Sequence, residues 1–578
     1  RPPKSTLFPY TTLFRSISTT ITLAAVFLPI MFLQGLTGRL FREFAIVVAG
    51  SVLLSAFVAL TLSPMMCSRI LTQQRHFNLN LMFRLTEPFF LALNRVYRYS
   101  LASFIKHRWL VFPILAVLVF VIYFFLQKLH TELAPFEDRS NIRIPTLAPE
   151  GSSYEYTEKY MDEIDRYVTD SIPEAMSSFS IIAPSIGTID PVNKGMHLIY
   201  LVEPSERHRT QKQIFQKVAI DLQNITGISV FPFQPPTIGD RFGGQPVQFV
   251  LLAPDLEELK KVLPAFLDEA RKSPILQLVD ANLKVNKPEL RISIDREKAS
   301  QLGVSTYDIG RTLQLSMSGD RYGYFIMNGQ QYEIIGQLMR YDRSEPYNLK
   351  TLYVRNMHGE MISLDNLVSI QESISPSSIF TFNRYISATI SAGLTPGYTM
   401  GDGLRVMEEI AGKVLPKTFS TSYSGQSRDY IESSSSLVFI FLLSIVFIFL
   451  VLAAQFESFI DPLIILFTIP LAMAGALFSL WYFNQTLNVF SEIGIIMLIG
   501  LVTKNGILIV EFANQRKHAG LKKIEAVQQA AISRLRPILM TSSAMILGIL
   551  PIAMSLGASS ESRQSLGIAV VGGLLFST

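Results

Sequence analysis

The segment Phe490–Ala513, FSEIGIIMLIGLVTKNGILIVEFA, constrains this chain more than any other. About 20 residues of apolar helix cross the hydrocarbon of a bilayer, and this run is long and apolar enough to do so. Yet Lys504 lies near its middle, with Asn505 beside it. A lysine at that depth costs about 2.5–3.5 kcal/mol on insertion scales, so it belongs against a partner or a wet cavity inside a bundle. The competing reading is a lysine that snorkels to a surface. That suits positions within a turn of a helix end, whereas Lys504 is followed by two further turns before Ala513. The functional reading is ion coupling, which calls for a carboxylate. No other apolar segment carries Asp or Glu near its middle.

At 49% hydrophobic over 578 residues, the chain is too apolar and too segmented for one soluble domain. Its net charge of +5 comes with no basic motif interleaved with aromatics, so nothing points to nucleic acid. Cys67 is the single cysteine, which leaves disulfides no part in any exported domain. No nucleophile elbow, phosphate loop or HExxH is present, so the pattern is not that of an enzyme or of an ATP-driven pump.

Residues 1–16 match nothing downstream and read as a foreign tail, not a signal peptide. Apolar segments then predict seven complete spans: Ile17–Leu33, Phe44–Leu62, Leu110–Leu126, Ser436–Ala453, Pro462–Phe483, Phe490–Ala513 and Ile538–Leu556. Leu566–Phe576 reads as the start of an eighth, and the chain as a fragment at both ends. The stretch Cys67–Trp109 carries seven lysines and arginines against Glu87. Within it, 71–109 reads as a cytoplasmic amphipathic helix on a membrane surface, or one packed on another subunit. Asn514–Pro537 is basic too, and four spans separate the two basic loops, so both are expected on the cytoplasmic side. The long polar stretch between the third and fourth spans is then expected outside.

That exported part reads as α+β. Over 128–240 the order is β-α-β-β-α-β, a ferredoxin-like split unit. A second such unit is expected over 241–291 and 378–432, interrupted by an inserted subdomain at 292–377. Residues 17–70 hold two spans, 110–127 a third, and 433–578 four more with the start of a fifth.

These elements, with GLTGRLFREFA, ALTLSPMMC, DREKASQLGVS, GLVTKNGILIVEFA and RLRPILMTS, resemble the resistance-nodulation-division (RND) efflux permeases from Ser16 to Thr578. The branch resembled is the hydrophobe/amphiphile, multidrug type; the heavy-metal branch usually lacks the Lys-Asn pair. The resemblance implies an α-helical transmembrane bundle, half of a twelve-helix RND transporter, with a large α+β periplasmic domain of ferredoxin-like split units. The chain would supply the fifth to eleventh helices and part of the twelfth. Its split units would be porter subdomains and its insertion a docking subdomain.

By the same resemblance, the protein is a proton-driven antiporter of the bacterial inner membrane, without a cofactor beyond the proton gradient. Its partners would be two further copies in a homotrimer, a periplasmic adaptor, an outer-membrane channel, membrane lipids and amphiphilic substrates. Lys504 would pair with two aspartates on a helix outside this chain, with Asn505, Thr541 and Arg534 beside the relay. Arg534, Thr541 and Gly548 recur every seven residues and share a helix face. Thr541 also has the option of bonding its own helix backbone. The loop FSIIAPSIGTIDPVNKG would divide two drug pockets, with Phe179, Ile181, Pro184, Ile186 and Leu198 around it. Family members often place phenylalanines there, so an aliphatic pocket is expected. Phe231 and Phe233 in VFPFQPP would flank the cleft entrance, or serve as ordinary core.

Rival readings are a lipid or other non-drug cargo on the same scaffold, a heavy-metal exporter, and a membrane receptor that transports nothing. Met161, Met176 and Met196 are scattered and His197 has no companion at ligand spacing, which speaks against metal. A receptor has no use for a mid-membrane lysine.

Overall fold

A computed structural model describes residues 20–22, 24–32, 35–70, 81–184, 191–238, 244–555 and 560–578. The tail expected over 1–16 and the pocket residue Ile186 lie outside them. Among the described residues six helices are long and apolar enough to cross a membrane: Phe41–Ile70, Arg108–Lys128, Gly425–Phe456, Ile460–Tyr482, Val489–His518 and Lys523–Ala553. The first expected span, Ile17–Leu33, lies partly outside the described residues. There the described helix is Thr20–Phe32, closing in a 3-10 turn at Pro29–Phe32.

Local chemistry sets the helix ends. Asn488 Oδ1 accepts the backbone N–H groups of Phe490 (3.0 Å) and Ser491 (3.1 Å), and Ser491 Oγ accepts that of Asn488 (2.8 Å). This reciprocal cap fixes where the lysine helix Val489–His518 starts. Its last turn carries Arg516, Lys517 and His518, which suit the negative end of the helix dipole. The Ile460–Tyr482 span is split at Phe467–Thr468 into two pieces, because Pro470 has no N–H to continue the ladder. Helix Glu561–Ser577 packs among the lysine helix, Ile469–Tyr482 and Lys523–Ala553. Small residues allow that approach: a Cβ on Gly572 would lie 2.1 Å from Ser479 Oγ, and one on Gly567 would lie 2.5 Å from the Ala553 backbone nitrogen.

Outside the bundle, strand β1 (Asn141–Leu147) is followed by helix Tyr154–Ser171, β2 (Ala175–Ile182), β3 (Lys194–Leu201), helix Gln211–Asp221 and β4 (Ser229–Val230). The antiparallel sheet runs in the order β2-β3-β1-β4. Alternation gives it two faces. Ile142, Ile144, Ile199 and Leu201 turn toward the helices and pack on Met161, Ile164, Val168, Ile214 and Val218. Register puts Arg143 opposite Leu198, Pro145 opposite Met196, and Phe179 opposite Leu198, so these side chains share the other face.

A second sheet contains β5 (Val247–Ala253), β6 (Leu276–Ala281) and strands Tyr385–Leu394 and Ser420–Tyr423. β5 lies between the last two, and Tyr385–Leu394 also pairs with β6. Residues 283–380, with 149–153, form a separate compact unit, wider than the insertion expected at 292–377. Within it Lys287–Ile294 pairs with Val368–Ser375, and Asp320–Met327 with Gln330–Gly336. The latter hairpin turns at Asn328 (φ 53°) and Gly329 (φ 75°), the left-handed pair that matches strand twist.

Where the first sheet meets the bundle, His130–Leu133 runs alongside Gln485–Val489. Leu487 N–H donates to His130 O (2.8 Å), Glu132 N–H to Leu487 O (3.1 Å) and Val489 N–H to Leu133 O (3.2 Å). The Thr131 carbonyl accepts from Gly401 N–H (3.3 Å), and its hydroxyl oxygen accepts from Tyr430 (2.8 Å). His130 Nδ1 lies 3.1 Å from Asp402 Oδ2, a carboxylate held at the start of helix Met400–Val414.

Candidate functional site

The lysine helix is buried along most of its length, and Val502, Thr503, Asn505 and Ile507 around Lys504 are all inside. Lys504 itself is half-buried. Asn505 Nδ2 donates to Ser542 Oγ across the helix interface at 3.4 Å, and Thr578 Oγ1 reaches the same oxygen at 3.0 Å. The other end of the Asn505 amide, Oδ1, is buried without a hydrogen bond. Thr541, one position earlier, donates instead to Ile538 O of its own helix at 3.0 Å. The hydroxyl that faces the lysine helix is therefore that of Ser542, and Thr541 takes the local backbone bond. Arg534 stacks its guanidinium on Phe512 of the lysine helix, 4.5 Å from the ring centre. The four residues expected around the relay thus sit on two adjoining helices, joined by Asn505–Ser542 and Arg534–Phe512.

The second feature lies on the helix-free face of the first sheet. A cavity of about 720 Å³ is lined there by Ile181, Pro184, Leu198, Phe231 and Phe233, with Pro145, Leu147 and Met196. Five of the seven expected pocket residues meet in it. Phe231 N–H donates to Pro145 O (3.0 Å) and Phe233 N–H to Arg143 O (2.8 Å). This pairing beyond the short β4 brings both rings to the β1 side of the cavity. Leu198 and Phe233 are buried, and Phe231 and Pro184 half-buried. The rest of the lining includes Lys194, Gln245, Asp280 and Ser391, so a few polar groups border an apolar floor. Lys194 closes the loop that the sequence singled out, whereas no motif pointed to Gln245, Asp280 or Ser391, since the second sheet supplies Asp280 and Ser391 only through the fold.

Phe179 does not line this cavity. It stands on the edge strand β2, stacked on Tyr200 with ring centres 6.1 Å apart. The residue nearer the cavity on β2 is Ile181, which pairs with Met196.

On the opposite, helix-packed face, His197 is fully buried. Its Nδ1 lies 2.8 Å from Ser180 Oγ and 4.0 Å from Asp165 Oδ1, while Nε2 is buried without a partner. Burial holds its pKa below the usual imidazole value, against a smaller opposing pull from Asp165. At the bundle junction, burial raises the Glu132 carboxyl, although Thr486 Oγ1 donates to it at 2.5 Å and His130 lies nearby.

Long apolar helices joined to antiparallel α+β units define a multi-pass membrane protein. The lysine within one span and the cavity outside fit a transporter. The chain belongs to the AcrB/AcrD/AcrF family of RND permeases, whose family model matches residues 11–578. It is 34% identical over 570 residues to an uncharacterized transporter of Haemophilus influenzae (strain ATCC 51907 / DSM 11121 / KW20 / Rd). That match covers 97% of this chain and 54% of the relative, so the chain spans about half the length of the curated protein it matches.

Proposed function

We propose that the chain is part of a proton-driven exporter of hydrophobic or amphiphilic compounds, of the multidrug branch. It works as a homotrimer in the inner membrane, with an adaptor and an outer-membrane channel. The observation that supports this most is the cavity in which Ile181, Pro184, Leu198, Phe231 and Phe233 meet. Its volume suits a small molecule, and its walls are mainly apolar with a few polar groups at the border. Such walls hold cargo chiefly by burial of apolar surface, at roughly 25 cal/mol per Å². Lys504 serves as the coupling cation. A lysine between two carboxylates favours their ionised forms, and a proton arriving at one of them loosens the pairing and lets the helices shift. Asn505 orients the lysine helix against its neighbour through Ser542.

The test uses the complete protein in a pump-deficient bacterium. Ile181→Phe with Pro184→Phe supplies two rings to the cavity without touching Lys504. An aromatic contact adds about 0.5–1.5 kcal/mol beyond burial, so export of planar dyes rises roughly twofold to tenfold per ring used. Export of a detergent changes less. Equal responses of dye and detergent, or none, would show that this cavity does not receive cargo.

A further inference from the structure

The helix Leu81–Lys106 presents three different faces. Phe90, Leu93, Tyr97, Leu101 and Ile105 recur three and four apart and are half-buried, against the helix Lys523–Ala553. Arg536 of that helix donates to Glu87 at 3.3 Å and lies over the Phe90 ring at 4.9 Å. A second stripe, Phe89, Ala92, Val96 and Tyr99, is uncovered, with Phe89, Val96 and Tyr99 at 64%, 65% and 73% exposure. A third stripe is Arg95, Arg98 and Lys106, all exposed. At 100° per residue, the basic stripe lies roughly a quarter-turn from the apolar one.

Both ends of this helix are tied to places where spans leave the hydrocarbon. Arg536 stands just before the apolar run that begins at Ile538. At the other end, the turn Arg108–Leu110 opens the span Arg108–Lys128 and leads directly into the helix Val111–Lys128, and Trp109 there is 78% exposed. An indole in that position belongs at the membrane–water boundary. The helix therefore lies at headgroup depth along its length, with one apolar stripe open to the membrane and a row of bases beside it. Its one carboxylate, Glu87, is engaged by Arg536, so no acid on the helix answers Arg95, Arg98 and Lys106.

We propose that this helix docks anionic phospholipid, its apolar stripe sunk among the acyl chains and Arg95, Arg98 and Lys106 gripping phosphate-bearing headgroups of net negative charge. Charge complementarity selects this occupant over zwitterionic lipid: three bases at an anionic surface are together worth roughly a hundredfold in affinity. The grip is electrostatic and weakens in high salt, where the screening length falls to about 3 Å at 1 M.

The test uses the full chain, independent of transport. With Cys67→Ser and Tyr99→Cys carrying a polarity-sensitive dye, detergent-held protein is titrated with phosphatidylglycerol or with phosphatidylcholine of identical chains. Half-saturation is expected at roughly a hundredfold less phosphatidylglycerol. The variant Arg95→Gln/Arg98→Gln/Lys106→Gln loses that preference while still taking up phosphatidylcholine. The variant Arg95→Lys/Arg98→Lys keeps it, which separates charge from a damaged helix. Lys260→Gln/Lys261→Gln, on a helix outside the bundle, leaves it unchanged. Equal half-saturation for the two lipids, or a preference that survives the triple change, overturns the proposal. So does a dye signal that follows protein concentration without lipid, which would mean that a second copy covers the stripe.

Discussion

A single methyl group at Gly567 tests how tightly the bundle is assembled. The Cβ of an alanine there would stand 2.5 Å from Ala553 N, 2.7 Å from Ala553 Cα and 2.9 Å from the Ile552 carbonyl carbon. All three are backbone atoms, so no side chain can swing aside. Relief requires the helix Glu561–Ser577 to move by about 1 Å, since carbon contacts settle near 3.5–4.0 Å. Overpacking of this kind costs about 1–3 kcal/mol, while alanine in place of glycine within a helix returns about 0.5–1 kcal/mol. Gly567→Ala is therefore expected to destabilise by about 0.5–2 kcal/mol, a shift of roughly twofold to thirtyfold in the unfolding equilibrium. Gly548→Ala is the internal control: a Cβ there meets nothing within 4 Å, so only the helix-propensity gain remains. Unfolding of the purified chain by a graded increase of sodium dodecyl sulfate, followed by circular dichroism, measures both. The moved helix also carries Ser565, which donates to Asn488 Oδ1 at 3.0 Å, so Gly567→Ala loosens the cap of the lysine helix. Equal stabilities for the two variants would refute the claim that backbone contact at Gly567 fixes this packing.

In the complete protein, Lys504→Ala is expected to abolish export while insertion becomes easier by about 2.5–3.5 kcal/mol; normal export by that variant would place proton coupling elsewhere. Ser542→Ala is expected to cost about 1–3 kcal/mol, because it leaves the buried Asn505 amide without a partner, whereas Thr541→Ala costs about 0.5 kcal/mol or less. Detergent unfolding of the two variants side by side decides this. His197 has its pKa lowered in the fold, so the unfolded chain binds the extra proton first as pH falls below about 6.5. Amide-exchange protection of β1 and β3 is expected to drop on acidification through the window below that value, and His197→Leu is expected to flatten the drop.

Much of this architecture was legible because its signals are local. Apolar runs located the long spans, and strand-like runs alternating with helical ones located both sheets. Lys504 declared itself by its chemistry in an apolar setting. What stayed hidden depends on neighbours. The seven-residue spacing of Arg534, Thr541 and Gly548 correctly says they share a face, but not which face meets the lysine helix. That helix is approached from the Ile538 and Ser542 side, about one residue's rotation away, and Thr541 falls back on Ile538 O. Phe179 and Ile181 look equivalent by alternation, yet only Ile181 lies far enough along the edge strand to line the cavity. The break in Ile460–Tyr482 could have been read from Pro470, whereas Asp280 and Ser391 come to the cavity only through a strand crossing remote in sequence.

The pairing of His130–Leu133 with Gln485–Val489 gives the link between bundle and outer sheets a main-chain part that does not depend on side-chain identity. Three of its bonds run between main-chain groups, and a fourth ties Thr131 O to Gly401. An alanine scan through either segment would remove side-chain bonds such as Thr486 to Glu132 and the Asn488 cap, yet leave these main-chain bonds in place. Only removal of a main-chain donor unpicks them. Leu487→Pro deletes the 2.8 Å bond to His130 O, so proline, rather than alanine, is the substitution that reveals whether motion crosses here.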